Sequence, residues 1–293
     1  MKRWGALALA GLALVGVAGC GGDPFQAGDG TNGALVVGSA DFTESELVME
    51  IYAEALRRTG ADVDTKPRIG ARETYVNAVA QGELSVMPDY TGNLLQYVDE
   101  NDPATESGQV YDALRRKLPP GLDVLDQAPA EDSDVLTVTR RTADSGIGTL
   151  EDLGPRCGEF VLGAPAEWKT RWEQRIAEVY GCTFAEIRNL EAGTVTVDAL
   201  TGDTVQVANL FTTSSQIAAN DLVPLRDTRD MFPAQHVVPL VGEGRLTPPQ
   251  AEAIDRVSRA LSTEDLTELN RRLEVDKANP TDLAKEFVAA VGA

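Results

Sequence analysis

The sequence predicts an α/β protein of two lobes, and three observations predict it. From Ala34 onward, short apolar runs of strand length alternate with stretches of helical periodicity. This body of about 260 residues is too long for one comfortable core. The residues before it read as an export and tether segment rather than as part of the fold.

Lys2 and Arg3 supply a short positive region, and Gly5 to Val17 is apolar and carries no charge. That run falls short of the roughly 20 apolar residues that span a bilayer as a permanent helix. It ends in Val17-Ala18-Gly19-Cys20, which resembles a lipobox: small residues before the cleavage point, then the thiol that accepts diacylglycerol. Residues 1–19 are thus expected to be a lipoprotein signal peptide, with Cys20 lipidated at the outer face of the cell membrane. An ordinary cleaved signal that contains a cysteine is the alternative. Residues 20–33, rich in Gly and Asp, are expected to form a flexible tether. Losing Lys2 and Arg3 would move the formal charge from −20 to −22. So acidic a body is repelled by phosphate backbones, which excludes nucleic acid as a partner.

The body opens with a predicted strand, Ala34 to Ala40. Thr43-Glu44-Ser45-Glu46 then matches a capping box with Thr43 as N-cap, and Leu47, Val48, Ile51, Tyr52, Ala55 and Leu56 follow on one helix face until Gly60. A strand (62–69), a helix (72–81) and a strand (84–88) complete a β-α-β-α-β start. Strands are predicted over 134–139, 159–163, 184–190, 205–211 and 237–241, with helices over 168–180 and 194–200 between them. The end of the chain reads as helical throughout. Thr247 caps a helix with Pro248 first and Gln250 third, and helices over 262–272 and 281–291 follow.

With Cys20 assigned to lipid, Cys157 and Cys182 remain as a pair in an oxidising compartment, and a disulfide is expected. Two free buried thiols are the alternative. Neither cysteine lies in a C-x-x-C pattern or near the lone His236, so metal and redox chemistry are not indicated.

Val37-Gly38-Ser39-Ala40-Asp41-Phe42-Thr43-Glu44 and Pro88-Asp89-Tyr90-Thr91-Gly92 are similar to stretches in the glycine betaine/choline/carnitine substrate-binding family. Ala128-Pro129-Ala130, Thr149 to Leu153, Ala166 to Arg171, Phe232-Pro233 and Val238-Pro239 follow in the family's order, so the resemblance runs from about Leu35 to the end. It implies a type II periplasmic-binding-protein fold: two α/β lobes with a hinge and a ligand cleft. Lobe 1 would be 34–130 with 237–293, and lobe 2 would be 131–236. It also implies an osmoprotectant-type ABC importer subunit, without enzymatic activity or cofactor. Such a subunit works as a monomer beside a membrane permease and an ATPase.

In that family an aromatic cage holds a quaternary ammonium by cation–π attraction, and a cation holds the ligand carboxylate. The resemblance places Tyr90 and Arg171 in these roles. Ala40 stands where many members have Lys, Asn93 stands for Thr, Val135 or Leu136 for a cage Tyr, and Gln235 or His236 for another. Phe211 is a substitute aromatic. The expected ligand is a small polar or zwitterionic solute, and a site so altered suits betaine poorly and a neutral polyol-like or phenolic solute better.

Tyr90 and Thr91 follow a predicted strand, where α/β sheets present ligand contacts. Thr43 and Glu44 open a helix whose free N–H groups either meet an anionic or polar ligand edge or are simply capped. Trp168, Arg171 and Trp172 share one helix face, which serves either a planar or anionic ligand or core packing with Arg171 in a rim ion pair. Thr213 and Ser214 after the 205–211 strand either bind ligand or cap the next helix. If Arg171 holds a ligand acid, Arg171→Ala weakens that binding at least tenfold. No G-x-S-x-G, H-E-x-x-H or Cys/His metal spacing is present, which argues against a hydrolase. A solute-sensing or envelope-interaction lipoprotein on the same fold stays open as an alternative.

Overall fold

The structure, a computed structural model, describes residues 33–190 and 193–293. The expected signal peptide, Cys20 and nearly all of the tether lie outside the described residues. Among the described residues no helix is long and apolar enough to cross a membrane.

The first half of the body alternates as its apolar periods demand: β1 (Leu35–Gly38), α1 (Thr43–Arg58), β2 (Val63–Lys66), α2 (Arg72–Gln81), β3 (Val86–Tyr90), α3 (Thr91–Val98), α4 (Ser107–Lys117) and β4 (Leu122–Val124). The middle comprises β5 (Asp134–Thr139), α5 (Arg140–Asp144), α6 (Leu150–Leu153), β6 (Val161–Ala164), α7 (Ala166–Tyr180), β7 (Glu186–Asn189), α8 (Thr194–Thr201), β8 (Val207–Phe211), α9 (Ser215–Ala219) and β9 (Leu222–Pro224). Then come β10 (Val237–Gly242), α10 (Pro248–Ala260), α11 (Thr263–Glu274) and α12 (Pro280–Ala290).

Two five-stranded sheets result, ordered β2-β1-β3-β10-β4 and β7-β6-β8-β5-β9. They share one plan. In each, three parallel strands are followed by one that runs antiparallel to both its neighbours, β10 in the first sheet and β5 in the second. The chain therefore crosses between sheets twice, after β4 and again before β10. The crossings lie side by side and antiparallel: Glu131 bridges His236, Asp132 N donates to Gln235 O, and Val237 N donates to Ala130 O.

Each sheet has its own apolar core. Around the first, α1 is buried along most of its length and packs against α10 and α12. Leu47, Ile51, Tyr52, Leu56, Ile254, Leu266 and Val288 belong to this cluster. Around the second, Trp168, Trp172 and Ile176 of α7 pack with Leu136, Leu162 and Val207. A disulfide joins Cys157 to Cys182 beside them, with Cα atoms 5.3 Å apart.

Two local expectations are corrected. Thr43 is not the N-cap of α1. Phe42 holds that position in extended conformation, without a side-chain cap bond, and the Glu46 carboxylate pairs instead with Arg68 at 3.2 Å. The third strand begins at Val86 rather than Leu84, because Glu83 and Leu84 donate their N–H groups back to Ala78 O in the turn that ends α2. The shift makes Tyr90 the last residue of β3 rather than a residue two positions beyond its end. By contrast, Thr247 and Gln250 form the reciprocal capping box expected of them.

Candidate functional site

The motif at 88–92 is a junction in which each side chain has a separate anchor. Asp89, 1% exposed, accepts from the Arg72 guanidinium and from the Tyr75 hydroxyl, which fixes the end of β3 to α2. Tyr90 donates its hydroxyl to Glu44 Oε1 at 2.5 Å. Thr91 donates to Ala234 O and accepts from His236 N, so it pins the second crossing segment. Gly92 is required by that approach: a Cβ there would lie 2.7 Å from Ala234 O, a contact that no side chain tolerates.

Asn93 extends the junction. Its backbone N–H donates to Gln235 Oε1 and its side-chain Oδ1 accepts from Gln235 Nε2, so both ends of the Gln235 amide are held by α3. Arg171 reaches the same place from α7, donating through Nη2 to Asn93 Oδ1 at 2.7 Å and Gln96 Oε1 at 3.2 Å. Its guanidinium also stacks on Trp172, 4.7 Å from the ring centroid. Arg171 thus spans from an element on the second sheet to one on the first. His236 Nδ1 lies 2.9 Å from Ala128 O, between the crossings.

A cleft of about 660 Å³ opens elsewhere, between the start of α1 and the turn after β8. One wall is Phe42, Thr43 and Glu44; the other is Phe211, Thr213 and Ser214; Asp132 lies between them, and α11 closes the side with Asn270 and Leu273. The position follows from topology. Phe211 ends β8, and Phe42 follows the end of β1, so both sit at carboxyl ends of parallel strands, where open α/β sheets receive ligands.

Electrostatically the cleft is unusual. Glu44 is 6% exposed, and its two oxygens accept from Tyr90 and from Asn270 Nδ2. Burial pushes its carboxyl above the usual range, against the hydrogen bonds from Tyr90, Asn270 and Thr213 that favour the charged form. Asp132 accepts from the Thr213 hydroxyl at 2.7 Å. Burial, and then the charge of Glu44, push its carboxyl well above the usual range. The same pair of causes raises the Tyr90 phenol. Lys277 is the one cation among the described lining residues, and it sits exposed at the mouth beside Glu274.

The residues singled out from sequence therefore separate into three places. Thr43, Phe211, Thr213 and Ser214 line the cleft, with Tyr90 directly behind Glu44. Thr91, Asn93, Gln235, His236 and Arg171 make the junction at the crossings. Trp168 and Trp172 are 1% and 3% exposed, with rings set edge-on to Phe184 and Phe232 in the second core. Val135 and Leu136, in the place of a cage aromatic, are buried in β5. Sequence reasoning missed Phe42, Asp132 and Asn270. For Asn270 a signal existed: Leu266, Leu269 and Leu273 mark the inward face of α11, and a polar residue beside them is out of pattern. Among 46 acidic residues nothing marked Asp132. The described residues contain no cluster of His, Cys, Asp and Glu able to hold a metal ion.

Comparison with known proteins agrees with this architecture. The family model for the substrate-binding domain of ABC-type glycine betaine transport systems matches residues 33–290. The glycine betaine-binding protein YehZ of Escherichia coli is 28% identical over 274 residues, covering 87% of this chain and 90% of that protein. A glycine-betaine-binding protein of Pseudomonas aeruginosa is 24% identical, with 90% of each chain covered. A crystal structure of a glycine betaine/carnitine/choline ABC transporter protein, 21% identical, superposes with a TM-score of 0.78 over 87% of this chain and 98% of that one. The chain is thus a non-enzymatic substrate-binding protein, and it belongs to the family of substrate-binding domains of ABC-type glycine betaine transport systems.

Proposed function

We propose that this chain is the lipid-anchored capture subunit of an importer, and that its solute sits in the cleft between Phe42–Glu44 and Phe211–Ser214 and is not glycine betaine. The observation that carries the reading is the cleft itself, with walls drawn from elements of both sheets and two aromatic rings, Phe42 and Phe211, left 41% and 37% exposed within it. Residues 34–130 with 237–293 act as one lobe and 131–236 as the other, and they close about the paired crossings near Glu131 and His236. A permease and an ATPase then read the closed form, with the capture subunit acting as a monomer. Cys20 holds the chain at the outer membrane face, so Cys20→Ser is expected to release it from the membrane fraction; continued membrane retention would remove the anchor.

Betaine carries a carboxylate, and the cleft wall sets Glu44 and Asp132 against that group, with exposed Lys277 the one cation among the described lining residues. Arg171, the cation that the resemblance supplies, is engaged with Asn93 and Gln96 at the junction. Calorimetric titration of glycine betaine is expected to show no saturable micromolar binding. Saturable micromolar binding would return the ligand to betaine and the carboxylate site to Arg171.

A further inference from the structure

Two carboxylates of the cleft wall, Glu44 and Asp132, lack a cationic partner among the described residues. Asp132 Oδ1 accepts from Thr213, and its Oδ2 accepts no protein hydrogen bond there. An independent observation comes from Asn270. This side chain is 5% exposed and lines the cleft, and it gives its Nδ2 hydrogen to Glu44 while its Oδ1 has no partner. The amide orientation is set by Glu44, since turning it over would place Oδ1 against a carboxylate oxygen. A buried acceptor without a protein donor leaves room for one from outside, and unlike the equally unpaired Gln127 Oε1 and Asn209 Oδ1, this one belongs to a cleft-lining residue.

We propose that the cleft takes a cationic solute that donates N–H hydrogen bonds, a protonated amine or guanidinium compound, held by Glu44, Asp132 and Asn270 between the rings of Phe42 and Phe211. The proposal rests on the reading of this cleft as the solute site. Charge selects the cation, because among the described lining residues three carboxylates, Glu44, Asp132 and Glu274, stand against one cation, Lys277. The exposed rings add cation–π attraction from two sides. Donor capacity selects further: a quaternary ammonium satisfies the charge but leaves Asn270 Oδ1 unpaired once water is excluded. A zwitterion brings a carboxylate toward Glu44 and Asp132, while the one cation among the described lining residues, Lys277, is exposed.

The test titrates the purified full-length chain with four compounds of one shape and with agmatine as a guanidinium probe. Dimethylethanolamine is a cation with an N–H, choline is a cation without one, 3,3-dimethylbutan-1-ol is neutral, and glycine betaine is zwitterionic. Dimethylethanolamine or agmatine is expected to bind at least tenfold more tightly than choline and the alcohol. Glu44→Gln and Asp132→Asn, each verified as folded by circular dichroism, are expected to cost at least tenfold. Equal affinity for choline overturns the donor requirement. Betaine as the tightest probe, or no binding by either N–H cation, overturns the proposal. Phe211→Ala separates this failure from failure of the cleft itself: a probe whose affinity that variant leaves unchanged binds outside the cleft.

Discussion

Tyr90, the last residue of β3, gives its hydroxyl hydrogen to Glu44 in the first turn of α1. This bond ties the strand end to the helix that opens the cleft, and Asn270 completes the set by donating to the other Glu44 oxygen. Phe42 lies over the same phenol, with ring centroids 6.1 Å apart. Tyr90→Phe keeps the ring and removes the bond, leaving Glu44 short of one donor. Urea unfolding is expected to show a loss of about 1–3 kcal/mol, the cost of an unsatisfied buried group. An unchanged midpoint would mean that water replaces the phenol and that the bond fixes nothing.

The pH response of the empty protein follows from Glu44 and Asp132, whose carboxyls burial raises above their ordinary values. A carboxyl of this kind holds its proton longer in the folded chain than in the unfolded one. Its contribution to stability is full in acid and is lost as pH climbs from the ordinary carboxylate range through the raised values. Surface carboxyls held low by partners, such as Asp152 beside Thr149, produce the opposite trend at lower pH. The useful quantity is therefore a difference. The double variant Glu44→Gln, Asp132→Asn is expected to gain stability relative to the parent as pH rises toward neutral, read from urea midpoints. A difference that stays flat would show that Tyr90, Asn270, Thr213 and Lys277 already compensate both charges against the like charges of Asp134 and Glu274.

Arg171 sits in solvent, bonded to Asn93 and Gln96 and stacked on Trp172. Exposed contacts of this kind are individually weak. Arg171→Ala is expected to lower stability by about 1 kcal/mol and to change the emission of Trp172, which loses its cover. An acidic ligand whose affinity fell tenfold or more in this variant would put Arg171 back into the binding site.

The Cys157–Cys182 bond closes a loop across a sequence separation of 25 residues beside the second core. Loop closure of that size is worth about 3 kcal/mol in the chain-entropy account. Replacing both cysteines by Ala should lower the urea stability by that order. A loss well under 1 kcal/mol would place the stabilisation in packing around the sulfurs instead.

Much of the fold could be read from periodicity. The helix over 72–81 and the strand over 134–139 match their expected limits, and the Pro248 helix has its predicted cap. The start of α1 was misread because Thr43 and Glu46 satisfy the capping pattern, whereas Arg68, distant in sequence, takes the glutamate. The site was harder for the same reason. Thr213 and Phe211 were visible as polar and aromatic residues at a strand end. Asp132 and Asn270 became site residues only when the crossings brought them beside Glu44. Trp168 and Trp172 invited a ligand reading by their spacing, yet helical spacing equally describes a face turned into a core, and here they occupy one.

The side-by-side crossings have a mechanical meaning as well. Two strands bonded to each other through Glu131 and His236 bend together at little cost, but twisting one against the other would shear that ladder. In the proposed closure of the two lobes, such a double strap acts as a door hinge and leaves a single soft angle. A membrane machine that senses the spacing of two points on the outer surface could then tell an occupied chamber from a vacant one without touching the cargo.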